Sequence, residues 1–257
     1  MSNKTILITG ANRGIGKQLA LLYASPNTNL ILIARQQKQL EEVGATCEAH
    51  GANVVVEAID IRKADVLQSF LLQIDNETPI DLLIANAGVA KTLGQNWKQE
   101  TATDLQQNFD INLQGTLNTI NPLIERMIAR KKGQIAIMSS IAALRGLPHS
   151  PSYCASKAAV NIYGQSLRAW LSRYNIQVNV IIPGYIKTDM SDGLHGPKPF
   201  LVSSEKAAQI IRRGLARNKA RISFPWQLHI LMKFAAVLPS RLVDMVLNQF
   251  ESYASER

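Results

Sequence analysis

Cysteine is nearly absent, with Cys47 and Cys154 the only two in 257 residues. Two thiols are too few for a disulfide scaffold, and their separation has no metal-type spacing. Histidine is almost as sparse. His50, His149, His195 and His229 are scattered without ligand spacing, so no metal is expected. His149 and His195 fall where a substrate pocket is expected. No run of about 18 uncharged apolar residues occurs, which argues against a transmembrane span. The first residues lack a signal peptide: Lys4-Thr-Ile-Leu-Ile-Thr9 is too short for an apolar core, and no small-residue cleavage site follows it. A cytoplasmic location is therefore expected. Internal repeats, low-complexity tracts and linkers are also missing.

Acidic charge is the other shortage. Asp plus Glu number 19 against 28 Lys plus Arg, a formal net charge of +9. The excess is uneven: residues 1–200 carry 19 basic and 15 acidic groups, and residues 201–257 carry 9 and 4. From Lys206 to Arg241 there are eight basic residues and no acidic one. Such a balance points to a phosphate-rich ligand, a membrane surface or a nucleic acid. No recognition helix and no aromatic stacking surface accompanies the basic residues, so no nucleic-acid partner is expected. What is present suits a globular chain with a full core, at 46% hydrophobic and 18% charged.

Short β-branched apolar runs alternate with helical patterns. Ile6–Ile8, Leu30–Ile33, Val54–Val56, Leu82–Ile84, Gln134–Met138 and Val178–Ile182 read as strands buried on both faces, with Arg221–Phe224 as a last one. Helices are expected from Gly14 to about Ser25, up to about His50, up to about Asn76, between Ala102 and Lys132, from about Ser152 to Tyr174, and from Ser203 to about Arg217. This rhythm predicts an α/β fold, a Rossmann-like doubly wound parallel sheet of about seven strands. Ligands of such sheets bind at the carboxyl ends of the strands.

Thr9-Gly-Ala-Asn-Arg-Gly-Ile-Gly16 lies where the first strand turns into the first helix. Glycines there let the backbone approach a diphosphate, and a helix N-terminus offers free N–H groups. The second strand ends in Ala34-Arg35. An acid near this point would bind a ribose 2′-hydroxyl, whereas an Arg accommodates a 2′-phosphate. Arg35, with Arg13 in the turn, favours NADP(H) over NAD(H). Asp60 after the third strand is placed either to accept the adenine amino group or to cap the next helix. Tyr153 and Lys157, four residues apart, share one helix face. An ammonium beside a phenol would lower the phenol's pKa towards neutrality.

These motifs resemble the short-chain dehydrogenase/reductase family over roughly residues 4–224. The Thr9–Gly16 turn resembles its cofactor motif, and Asn86-Ala-Gly88 its segment after the fourth strand, with Ala85 where the family has a further Asn. Asn112 matches its catalytic Asn. Ser139-Ser140 ends the fifth strand, and Tyr153-Cys-Ala-Ser-Lys157 is its Tyr-x-x-x-Lys motif. Pro183-Gly184, Ile186 and Thr188 match the segment that contacts the nicotinamide carboxamide.

The resemblance implies a catalytic set of Asn112, Ser140, Tyr153 and Lys157, the family spacing selecting Ser140 over Ser139. The cofactor set it implies is Gly10, Asn12, Arg13, Gly14, Ile15, Gly16, Arg35, Asp60, Ile61, Asn86, Ala87, Gly88, Tyr153, Lys157, Pro183, Gly184, Ile186 and Thr188. Hydride would pass between NADP(H) and a small-molecule carbonyl or secondary alcohol of apolar character. Ser140 and Tyr153 would hold the oxygen, Tyr153 would give it a proton, and Lys157 and Asn112 would resupply that proton through water. The alternative is a non-catalytic NADP(H)-binding regulatory or scaffold protein on the same fold. A homodimer or homotetramer is implied.

Residues 1–224 are expected to form one domain, with a substrate loop at about 185–202. Residues 225–257 are expected to form a helical extension. Two expectations for that extension stay open. Either it packs on the body or forms a subunit interface, or residues 225–250 contact a membrane, with Trp226, Leu228, Leu231 and Phe234 dipping into the inner surface. Lys219, Arg221, Lys233 and Arg241 would then face anionic lipid. Cys154, one step off the Tyr153 face, reads as packing. Arg130-Lys131-Lys132 reads as a helix C-terminus carrying favourable charge.

Overall fold

In the computed structural model, which describes residues 3–93, 98–192 and 198–245, the seven apolar runs are the seven strands of one parallel sheet. The first half runs β1 (Lys4–Thr9), α1 (Gly14–Tyr23), β2 (Thr28–Ile33), α2 (Gln37–Ala49), β3 (Asn53–Glu57), α3 (Ala64–Glu77) and β4 (Leu82–Ala85). It continues through α4 (Ala102–Phe109), α5 (Gly115–Arg130), β5 (Gly133–Met138), α6 (Pro151–Leu171) and β6 (Ile176–Pro183). A short β7 (Ile186–Lys187), α7 (Asp189–Asp192) and β8 (Val202–Ser203) precede α8 (Ser204–Ala216), β9 (Arg221–Phe224) and α9 (Trp226–Val237).

The strand order is β3-β2-β1-β4-β5-β6-β9. The order reverses between β1 and β4, where a parallel sheet opens a crevice. Alternate residues of each strand supply the two cores. Ile6, Ile8, Leu30 and Leu32 pack with Leu19 of α1, Val43 of α2 and Ile211 of α8. Leu7, Ile31, Ile33 and Leu83 pack with Leu71 of α3, Leu123 of α5 and Val160 of α6. Burial on both faces is why these strands are continuously apolar.

The chain departs from the expected elements at two places. The single long helix between Ala102 and Lys132 is two helices joined by a π-helical turn at Asp110–Gln114, which carries Asn112. Thr101 caps α4 by accepting from the Asp104 amide at 3.0 Å. The expected loop after Gly184 holds a two-stranded β7-β8 pair, Ile186 opposite Val202. His195 with Gly193, Gly196 and Pro197 lies outside the described residues.

Arg130 is more than a helix-end charge. It donates to the Asp75 carboxylate at 2.8 Å and to the Ile80 carbonyl at 2.8 Å, and Arg126 donates to the same carboxylate at 2.7 Å. Burial pushes the Asp75 carboxyl up, but the Ile80 amide and both guanidiniums more than offset it, leaving it below the usual carboxylate range.

After β9 the chain turns into α9. Leu228 and Met232 bury against Ile141, Val180 and Ile182. Leu228 therefore points into the body, which corrects its expected place among membrane-facing side chains. Trp226, Leu231 and Phe234 are exposed. Helical backbone resumes at 240 and runs to 245, the last described residue. Val246, Leu247 and Phe250 lie beyond it. Among the described residues no helix is long and apolar enough to cross a membrane, and no cluster of metal-ligating side chains occurs.

Candidate active site

The carboxyl ends of β1 to β6 open onto one cleft of about 430 Å³. Its floor begins at the glycine-rich turn. Gly10 and Gly14 hold φ of +66° and +55°, in the left-handed region that favours glycine. A Cβ on Gly16 would lie 2.2 Å from the Gly10 carbonyl oxygen, so no side chain fits there. The helix that follows starts without a side-chain cap, which leaves its first N–H groups facing the turn. This bare cradle fits a diphosphate.

Thr9 and Asn86 fasten the cradle to β4. The Thr9 hydroxyl accepts from the amides of Asn86 and Ala87, each at 3.1 Å. The Asn86 carboxamide donates to the Thr9 carbonyl at 2.8 Å. The side chain of Asn86 thus shapes the turn, while Ala87 and Gly88 line the cleft beside it. Ala85, where the resembling family carries Asn, is buried in the sheet core.

At the far end of the cleft Arg35 and Gln36 follow β2, and both line the opening. Asn12 donates to Gln36 and Gln39 at 2.9 Å each. Arg13 reaches across the cleft mouth to Asp189 at 3.2 Å, both side chains being exposed. Asp60 takes a forked bond from Arg62, with its closest contact at 2.6 Å. That bond outweighs the upward push of burial and holds the Asp60 carboxyl below its usual range, and the charge of Arg35 adds to the lowering. Asp60 does not cap α3, whose N-cap position is Lys63. Ile61 lines the cleft, and its carbonyl accepts from the Asn118 carboxamide at 3.0 Å.

The opposite wall is β5, the turn after it and α6. Ser139 spends its hydroxyl on the Lys157 carbonyl at 3.0 Å, strapping strand to helix. Ser140 is turned the other way: its side chain bonds the Tyr153 hydroxyl and accepts from the Ala142 amide at 3.2 Å. The two serines are thereby told apart: Ser140 meets Tyr153, and Ser139 is spent on α6. Lys157, 4% exposed, donates to the Met138 carbonyl at 3.0 Å. Burial pushes its ammonium down to about 8. Pro183, Gly184, Ile186 and Thr188 close the cleft from β6 and β7.

The sign of the Tyr153 shift corrects the expectation. Burial raises its phenol to about 12, and the bond from Ser140 only moderates that. Lys157 lies on the same helix face, but its ammonium is committed to a carbonyl and is itself desolvated. The desolvation of the phenolate therefore prevails.

Asn112 and Gly16 are the two expected residues that do not line the cleft. Asn112 lies fully buried behind Gly88. Its carboxamide accepts from the Val89 amide at 2.9 Å and donates to the Val89 carbonyl at 2.9 Å and the Ser156 hydroxyl at 3.1 Å. Both hydrogens of that carboxamide are thus spent on protein partners.

Sequence reasoning missed its twin. Asn108, also fully buried, accepts from the Lys91 amide at 3.1 Å. It donates to the Lys91 carbonyl at 2.9 Å and the Ser152 hydroxyl at 2.7 Å. Ser152 in turn donates to Glu100 at 2.9 Å. Two asparagines four residues apart therefore grip alternate residues of the segment after β4, each backed by a serine of α6. The matching spacings of 108/112 and 152/156 were the signal available in the sequence. Cys154 is buried and its sulfur accepts from the Leu147 amide at 3.3 Å, a packing role. His149 lines the cleft as expected.

Known proteins resemble this chain in sequence and in fold. The family model for short chain dehydrogenase matches residues 4–197. An uncharacterized oxidoreductase of Myxococcus xanthus is 34% identical over 245 residues, 95% of this chain and 96% of that protein. The fold is shared with a short-chain dehydrogenase of Sphingobium yanoikuyae in complex with NADPH, at TM-score 0.81 and 24% identity over 95% of each chain. It is shared also with a Mycobacterium paratuberculosis short chain dehydrogenase bound to NAD, at TM-score 0.75 and 25% identity, covering 86% of this chain and 95% of that one. By the family match and the near full-length relative, the chain belongs to the short-chain dehydrogenase/reductase family, oxidoreductases that work with nicotinamide cofactors.

Proposed function

We propose that the protein is an NADP(H)-dependent reductase of apolar carbonyl compounds, with Ser140, Tyr153 and Lys157 as its catalytic residues. The observation that carries this reading is the pairing of the Ser140 and Tyr153 hydroxyls at the cleft wall, with a buried lysine on the same helix face. Two hydroxyls side by side hold one carbonyl oxygen in a fixed position. A phenol raised to about 12 stays protonated throughout the neutral range, so Tyr153 stands ready to give a proton to a bound carbonyl oxygen. Below about pH 8 Lys157 carries a proton with which to recharge the phenol, and it loses that proton as pH rises. Asn112 acts at one remove, as the clamp on Val89 beside the cleft. A bound nicotinamide cofactor supplies the hydride in this family.

The choice of NADP(H) rests on this chain's own residues, since related folds hold either cofactor. No carboxylate follows β2, where Arg35 stands exposed at the cleft opening. Asp60, on which the charge of Arg35 acts, is already paired with Arg62. Apolar character of the substrate is supported by Ile141, Ala142, Leu147 and Met190, which line the cleft near Ser140. We also infer a homo-oligomer formed through the face shared by α5 and α6, where Ile162 and Trp170 stand exposed.

The test pairs binding with turnover. Fluorescence titration is expected to show tighter binding of NADPH than of NADH, and an aromatic or aliphatic ketone panel is expected to reveal NADPH consumption. Tyr153→Phe should lower turnover by about 100-fold or more while leaving NADPH binding intact. Near-normal turnover of that variant overturns the catalytic assignment, and equal affinity for NADH overturns the cofactor assignment.

A further inference from the structure

The redox chemistry leaves the outer face of α9 unused. The helix is anchored on one side only, by Leu228 and Met232. On the other side Trp226, Ile230, Phe234 and Val237 recur at helical spacing and are 66%, 57%, 60% and 79% exposed. Leu231 beside them, and Leu242 and Met245 in the next helical segment, are exposed too. Scattered exposed apolar residues are ordinary, but seven within twenty residues of chain form a patch that calls for a covering.

Charge along α9 and the strand before it is of one sign. Lys206 to Arg241 contains no acidic residue. Lys233 on α9 and Arg221 at the start of β9 both bear on His229, whose imidazole burial and these two charges hold below its usual range. The next acid along, Asp244, is already paired with Arg145 at 2.9 Å. A second copy of this chain seated here would offer the same cations and meet them with repulsion. A sheet of lipid phosphates over an apolar interior offers the opposite sign and an apolar phase together.

We propose that the α9 face docks on the surface of an anionic lipid bilayer. Trp226, Ile230, Phe234 and Val237 enter the acyl boundary, and Lys233, Arg221 and Arg241 meet the headgroup phosphates. The helix lies in the interface and does not span it. At twelve residues it reaches roughly 18 Å along its axis, well short of an apolar core of about 30 Å.

Flotation of the full-length protein with phosphatidylglycerol–phosphatidylcholine vesicles tests this. The wild type should float with them, less so as salt rises, and not with phosphatidylcholine alone. Trp226→Ser/Phe234→Ser and Lys233→Gln/Arg241→Gln should each weaken binding by about tenfold or more. Both variants change exposed side chains, so circular dichroism and NADPH binding should match the wild type. Failure of the wild type to float, equal binding to neutral vesicles, or undiminished binding of the folded Trp226→Ser/Phe234→Ser variant each overturns the proposal. So does a wild-type oligomer that this variant dissolves without any vesicle binding, since the face is then a subunit interface. Turnover is not read in this experiment, so its outcome is independent of the catalytic assignment.

Discussion

At the scale of single residues, the cleft wall that carries Lys157 stores a cost. Lys157 is buried and its ammonium is held near 8, whereas an unfolded lysine titrates near 10.4. Between those values the unfolded chain binds the extra proton. Stability therefore rises as pH climbs from about 8 to 10, and the full penalty is present below 8. A shift of that size corresponds to roughly 3 kcal/mol. Lys157→Met should accordingly raise the urea midpoint at pH 7, with a gain that fades as pH approaches 10, while turnover is lost. A midpoint gain that is flat with pH would contradict this account. The residue identities at this wall were legible from the motif spacing. The direction of the Tyr153 shift was not, because a sequence gives a phenol's neighbours along the helix and not the depth of the cleft around it. For the same reason Arg130 read as a helix-end charge until Asp75, 55 residues away, came beneath it.

At the scale of elements, the strands were readable because burial on both faces makes them apolar without interruption. The π-helical turn was not, since it has no compositional mark. Such turns gather at functional sites, and this one seats Asn112 between the cleft and α6. Asn108 and Asn112 together do the work of a short strand, offering paired donors and acceptors to the backbone of Lys91 and Val89. Removing one hand of that grip leaves backbone groups without their partner. Asn108→Ala should cost about 1–3 kcal/mol in urea denaturation, with the loss largest at the segment after β4 in hydrogen exchange. Unchanged protection there would show that the segment is held by something else. The β7-β8 pair escaped prediction because each strand is two residues long, too short for any alternation to register.

At the scale of the whole molecule, the formal charge of +9 divides among tasks. Arg126 and Arg130 bind the core acid Asp75, Arg62 neutralises Asp60, and Arg13 and Arg35 flank the cleft mouth. The basic tail around α9 remains for an outside partner. A second apolar surface lies on the opposite helices, in a groove between α5 and α6 lined by Tyr163, Leu167 and Trp170. Unlike the α9 face it mixes Glu125 and Arg126 with its apolar residues, as a self-complementary contact requires. Trp170→Glu should shift the protein to a smaller species in light scattering, and wild-type behaviour would place the subunit contact elsewhere.

The sheet order has a consequence for how the chain comes into being. Ile6 sits beside Leu82, so the strand that carries the glycine-rich turn gains its second neighbour only after β2, β3 and their helices have been made. Until then β1 is the open edge of a three-stranded half-sheet, with an apolar row and unpaired amides on show. Such long-range pairings slow folding and leave a nascent edge prone to association. The arrangement that opens a crevice for a dinucleotide is thus the same one that leaves β1 waiting for its second neighbour until β4 has been made.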